Sequence, residues 1–251
     1  MKILRFVDRE NKTHYGWLNE NRVGLIDGDI FGECQRLEPS YSLSAVKVLP
    51  PVQPQKIICV GRNYLEHAAE QNVAIPESPQ LFFKPPSALI ADSETIAIPP
   101  QSNQVEHEAE LVAVIGKRGR WIPVDEAQQY ILGYTIGNDV TARDIQHNDL
   151  QWTRGKGFDT FCPVGPWIET ELDPADCLIT CRVNGELRQM ASTREMVFSI
   201  DQIVAYVSTI MTLEPGDLVF TGTPAGIGRL SAGDTIEITI EGIGSLNNQV
   251  S

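Results

Sequence analysis

Glu108-Ala109-Glu110-Leu111-Val112-Ala113-Val114-Ile115 decides how this chain is read. The five apolar residues at its end suit a strand largely buried among others. Side chains alternate faces along a strand, so Glu108 and Glu110 point the same way, roughly 6.6 Å apart along the backbone. Two carboxylates on one face of a buried strand repel each other and lose hydration, which pushes one toward protonation. A hard divalent cation removes that conflict, because Mg²⁺ and Mn²⁺ take oxygen ligands and accept several carboxylates. Alone, the pair fits equally a solvated strand end with two surface acids.

Outward from this run the chain reads mostly as short strands. Residues 3–7, 14–18 and 23–26 are strand candidates separated by turn residues. The segment Leu49-Pro50-Pro51-Val52-Gln53-Pro54-Gln55 then suits neither a helix nor a central strand. It divides the expected organisation into a small β module over residues 1–50 and a main domain over 51–251. The main domain opens with a strand at 56–61, followed by Asn63 as the expected cap of a short helix over 64–71. Further strands are expected at 81–83, 95–98, 109–115, 133–138, 164–169 and 178–183. Asn184-Gly185 is a type I′ turn signal that pairs 178–183 with 186–190. Ser199 begins a helix to about Met211, with Ile200, Ile203, Val204, Val207, Ile210 and Met211 on one stripe. Beyond Pro215-Gly216, strands are expected at 218–221 and 235–241. With strands outnumbering helices and no regular βαβ alternation, the fold class is mainly β (α+β) with a few short helices.

The 251 residues can bury a substantial core, and 42% hydrophobic with 21% charged residues is an ordinary globular composition. A net charge of −13 argues against binding a nucleic-acid backbone. An anionic substrate would need local positive charge, for which Arg62, Lys84, Arg143, Arg154 and Lys156 are the candidates. The five scattered cysteines form no paired Cys-x-x-Cys motif and read as free thiols of a cytosolic protein. The amino terminus meets a charge too early for a signal-peptide core, and no stretch approaches the ~20 apolar residues of a membrane helix. The expectation is a cytoplasmic protein with neither membrane nor nucleic acid as partner.

Twenty-nine residues beyond Glu110 lies Asp139, at the end of an apolar strand, where an aspartate commonly caps a turn. Its surroundings say more. HEAELVAVIG (107–116), GYTIGNDVTARDIQ (133–146), WTRGKGFDTFCPVGPW (152–167) and PGDLVFTGTPAGIG (215–228) occur in that order. CVGRNYLEHAAE (59–70) and PQLFFKPPSAL (79–89) precede them. Together these segments closely resemble the fumarylacetoacetate hydrolase family, over residues 57–250.

The resemblance implies a mixed β-roll, usually in a homodimer, around one Mg²⁺ or Mn²⁺ held by Glu108, Glu110 and Asp139. It implies that Lys156, between two glycines, points at substrate oxygens, and that Arg143 and Gln146 contact substrate. Thr223 matches a position that hydrogen-bonds a substrate carboxylate. His67 and Glu70, three apart on one helix face, match a pair on a mobile helix that closes over the site, Glu70 orienting His67 as a base. Outside that context, a salt bridge, a surface amide, a surface lysine and an exposed His–Glu pair account for the same residues. His107 should point to the face opposite the metal, while His14 and His147 carry no signal. The glycine-rich 221–228 loop lacks the Gly-Lys-Ser/Thr of a nucleotide loop.

In such a site the metal is a Lewis acid and electron sink, Lys156 adds charge at a developing oxyanion, and His67 with Glu70 activates water or moves a proton. The first expectation is a metal-dependent enzyme cleaving a C–C bond in a small 2-oxo acid, by hydrolysis or decarboxylation. The alternative is an isomerase or keto–enol tautomerase of a similar dicarboxylate, and a non-catalytic homologue that keeps only the fold is disfavoured by the intact set of side chains.

Overall fold

In the computed structural model, which describes residues 1–251, the apolar run forms the strand Ala109–Ile115, with all seven residues buried. It lies inside a twelve-stranded mixed sheet, antiparallel to Ile131–Asn138 on one side and to Leu218–Phe220 on the other. Leu218–Phe220 runs parallel to Ile57–Gly61, which pairs antiparallel with Gln80–Lys84 at the edge. Leu111, Ala113 and Ile115 face one hydrophobic core, and Val112 and Val114 face another. A strand packed on both faces has no polar side to show, hence the unbroken apolar pattern.

A five-stranded sheet packs against this one and contains the expected hairpin, Leu178–Val183 paired with Glu186–Ser192. Its turn residues Asn184 (φ 53°) and Gly185 (φ 79°) both take the left-handed region that a type I′ turn requires. The one long helix, Ile200–Ile210, starts at Ser199 in a capping box with Gln202. It buries Ile200, Ile203, Val204 and Val207, whereas Ile210 is exposed at the last turn, where the chain leaves in extended geometry. No helix is long and apolar enough to cross a membrane.

At the amino end, Lys2–Val7 pairs with Cys162–Glu169 through Lys2↔Glu169 and Ile3↔Ile168, so the first strands extend the large sheet. Lys47–Leu49 returns to pair with Lys2–Val7 just before the proline-rich connector. Several short strands escaped the sequence pattern, among them Lys47–Leu49 and Val105–His107, and so did two long ones, Cys34–Ser42 and Gly244–Val250. The first is a polar, bulged edge strand containing Pro39, and the second carries Asn247, Asn248 and Gln249. An edge strand such as Cys34–Ser42 is kept polar to discourage further pairing, whereas Gly244–Val250 lies between Thr235–Ile240 and Thr95–Ile96 with Asn248 buried; in both, polar residues stand where an apolar alternation would mark a strand.

Candidate active site

Glu108 does not lie within one continuous strand with Glu110. The chain changes sheets there: Val105–His107 belongs to a small sheet with Thr141–Ala142 and Gly228–Arg229, and Ala109–Ile115 belongs to the large one. Asn138 Oδ1 accepts from the Glu108 amide (3.0 Å), and the Asp139 amide donates to the Glu108 carbonyl (2.9 Å). Because Ala109 pairs with Asn138, Asp139 comes to lie across from Glu108. Glu108, Glu110 and Asp139 are all buried, and one carboxylate oxygen of each lies within 4.8 Å of the others.

Positive charge surrounds two of these acids. Lys156, buried at the end of the short helix Thr153–Lys156, donates to Glu108 Oε2 (2.8 Å) and Asp139 Oδ2 (2.6 Å). Lys84, 1% exposed, donates to Asp139 Oδ1 (2.6 Å) and the Val140 carbonyl (3.0 Å). Arg143 donates through Nε to Glu106 (2.8 Å), through Nη2 to Glu108 and through Nη1 to Gln146. Burial alone would raise the Glu108 pKa, but the Lys156 and Arg143 charges outweigh it and hold the carboxyl below the usual range. Lys156 is held protonated in the same way, its burial outweighed by Asp139 and Glu108.

Glu110 differs: its carboxylate accepts the Gly222 amide (2.7 Å) and meets no cation. Burial, then the charges of Asp139 and Glu108, push its pKa well above the ordinary value. Three converging carboxylates, one lacking a positive partner, fit a hard oxygen-seeking cation such as Mg²⁺ or Mn²⁺.

The helix Leu65–Glu70 carries His67, buried, with Nδ1 3.4 Å from Glu70 Oε2. Burial lowers the His67 pKa below 6.5, so the neutral ring prevails at neutral pH, although the Glu108 charge opposes this. Glu70 also accepts the Gly226 amide (3.1 Å), which ties the helix to the 221–228 loop. Asn63 does not cap this helix. Its fully buried amide donates to the Phe198 and Thr221 carbonyls and accepts the Phe198 amide, joining three segments that are distant in sequence.

Thr223 Oγ1 donates to the Ala109 carbonyl (2.9 Å) and accepts from Gln189 Nε2 (2.8 Å), so its hydroxyl hydrogen is committed to the protein. Gln189 was not singled out in the sequence. It is completely buried, donates also to the Pro224 carbonyl (2.8 Å), and its Oε1 accepts the Ala109 amide (3.0 Å) and faces His107 Nδ1 (3.0 Å). The only trace of it in the sequence is a polar residue at an inward position of a predicted hairpin strand. Lys84 was named only as one cation among five, its apolar strand giving no sign that the amine reaches Asp139.

A cavity of about 240 Å³ opens onto this constellation. His67, Glu108, Glu110, Arg143, Gln146, Lys156 and Thr223 line it, with Arg62, Phe82 and Trp152 among the outer walls. Glu70 and Asp139 lie behind, against His67 and the two lysines. Arg154 is exposed and paired with Asp149, away from the carboxylates.

Residues 56–251 match the family model described as fumarylacetoacetate hydrolase, C-terminal, and residues 1–51 match one described as Rv2993c-like, N-terminal. The chain is 44% identical to oxaloacetate tautomerase FAHD2B, mitochondrial, of Bos taurus, over 84% of this chain and 72% of that protein. Among solved structures, 5-carboxymethyl-2-hydroxymuconate delta-isomerase from Mycobacterium smegmatis is 42% identical, with a TM-score of 0.92 over 100% of this chain and 99% of that one. The 2-hydroxyhepta-2,4-diene-1,7-dioate isomerase from Mycobacterium marinum is 41% identical with a TM-score of 0.92, covering 100% and 98%. The order of the motifs, the buried carboxylate site and the match over most of its length agree: this chain belongs to the fumarylacetoacetate hydrolase family.

Proposed function

We propose that the protein is a divalent-metal-dependent enzyme that moves a proton at the carbon beside the ketone of a 2-oxo dicarboxylate, as a keto–enol tautomerase or double-bond isomerase. The observation that carries this reading is a neutral base, His67, on the wall of the cavity that holds Lys156 and the three carboxylates. The names of the bovine and mycobacterial relatives favour this chemistry for them and support it here.

Glu108, Glu110 and Asp139 would hold the ion, which when bound supplies Lewis-acid stabilisation of negative charge on the ketone oxygen. Lys156 places a second, permanent positive charge at that end of the cavity, where the low dielectric strengthens it. Arg143, fixed by Glu106 and Glu108, and Gln146 beside it orient the 2-oxo acid end. His67 takes the proton from carbon at Nε2 and returns it to another position, while Glu70 facing Nδ1 stabilises the imidazolium in between. Their 3.4 Å separation is long for a hydrogen bond, and closure of the short helix on a ligand would shorten it.

On the sequence alone the His67–Glu70 pair places C–C cleavage first, and it keeps that chemistry as a second reading here, since the same base can activate water. Enol absorbance assays of oxaloacetate, run beside cleavage assays of acylpyruvates with Mg²⁺, Mn²⁺ or a chelator, separate the two. Metal-dependent tautomerisation faster than any cleavage supports the first reading. Cleavage with the higher kcat/KM replaces it with the second, and inactivity in every assay rejects both.

A further inference from the structure

Three cationic side chains line the cavity, and two of them are committed to the protein's own acids. Arg143 is bound to Glu106 and Glu108, and Lys156 to Glu108 and Asp139. Arg62 is different. It follows Gly61 at the end of the strand Ile57–Gly61, in a left-handed conformation (φ 61°) that side-chain-bearing residues rarely adopt. Its guanidinium lies 5.7 Å from the ring centre of Trp152, itself a wall of the cavity, and has no carboxylate partner. Gly61 leaves the room for this, because a Cβ there would stand 2.8 Å from the Trp152 ring. Asp149, the one lining acid outside the carboxylate triad, is already taken by Arg154 through both oxygens (2.7 and 2.5 Å). In a chain of net charge −13, an unclaimed arginine lying over an aromatic wall of the cavity is an anion-binding feature.

We propose that Arg62, held over Trp152, binds the distal carboxylate of the substrate and so selects dicarboxylic over monocarboxylic 2-oxo acids. This rests on the proposed 2-oxo acid site and adds to it a residue that sets specificity. No carboxylate of the protein occupies the guanidinium's fork, so two of its N–H groups can meet one carboxylate side by side. Lysine at this position would keep the charge but lose the fork.

The test is equilibrium binding to the Mg²⁺-loaded protein of 2-oxoglutarate and 2-oxopentanoate, which share the 2-oxo acid end and differ in the distal group. Wild type should prefer 2-oxoglutarate. Arg62→Gln should reduce that preference by about ten- to a hundredfold, the range for losing a charge-assisted hydrogen-bonded pair. Arg62→Lys should restore part of it, and thermal melts would show that both variants are folded. Equal weakening of both ligands, or an unaltered preference in Arg62→Gln, overturns the proposal. Because binding is read without turnover, a wild type inactive in the tautomerase assay that still shows the Arg62-dependent preference would sink the reaction but not this residue. Binding of neither ligand to wild type would sink the 2-oxo acid site, and Arg62's role with it.

Discussion

Replacing Lys84 by methionine should lower the stability of the metal-free protein while tightening its hold on Mg²⁺. Lys84 is buried and gives its charge to Asp139 Oδ1 at 2.6 Å. Breaking a buried ion pair by removing one partner costs about 3–5 kcal/mol, because the remaining charge stays buried. Asp139 keeps Lys156 on its other oxygen at 2.6 Å, so the lower end, about 3 kcal/mol, is expected. In a chain of this size that is a fall in Tm of roughly 6–12 °C, at about 2–4 °C per kcal/mol. Methionine roughly fills the stem's volume, so little of the loss comes from a cavity. The metal response has the opposite sign: one positive charge fewer makes the three-carboxylate site more attractive to a divalent cation, about tenfold as an order of magnitude. Calorimetric melts without metal and over a Mg²⁺ titration measure both quantities on one sample. A metal-free Tm equal to that of wild type, or weaker Mg²⁺ binding in Lys84→Met, would refute the view that Lys84 neutralises Asp139.

His67→Ala should lower turnover by ~10²–10⁴-fold, the usual range for a general acid–base group, with Mg²⁺ affinity nearly unchanged by calorimetry. Because burial lowers the His67 pKa in the free enzyme and the neutral ring is the base, wild-type kcat/KM should fall on the acid side with a midpoint below 6.5, and this limb should vanish in His67→Ala. Glu110→Gln should weaken Mg²⁺ binding yet raise metal-free stability at neutral pH. The raised pKa means that the folded state holds its proton more tightly than the unfolded chain, so stability falls as pH climbs through the ordinary Glu range, and melts of the variant should lose that slope. Gln189→Leu would leave the Ala109 amide without a buried partner, at roughly 1–3 kcal/mol, and the His107 ring with only the weaker Cys181 Sγ contact, so a lowered Tm together with a raised KM is expected. Light scattering at micromolar concentration should give the mass of the homodimer that the family resemblance implies, and a monodisperse monomer would remove that expectation.

The sequence by itself determined the elements whose signal is local. The apolar run 111–115, the Asn184-Gly185 hairpin and the Ser199-capped helix each carry their own periodicity or turn chemistry, and each forms as read. The order of the motifs likewise named the family and pointed to all three buried carboxylates. Strands Cys34–Ser42 and Gly244–Val250 were not legible, because their polar side chains carry no pattern and they exist only through the strands beside them. The site followed the same division. That Glu108 and Glu110 converge despite a change of sheet between them depends on the Ala109↔Asn138 register, a long-range property. Which acid is neutralised, which is left without a cation, and why Gln189 and Lys84 belong to the site were decided by contacts between residues tens of positions apart. Residue types and spacings record what a chain can offer a ligand. Burial and charge pairing, which set the protonation of each group, come into being only when distant segments close around it.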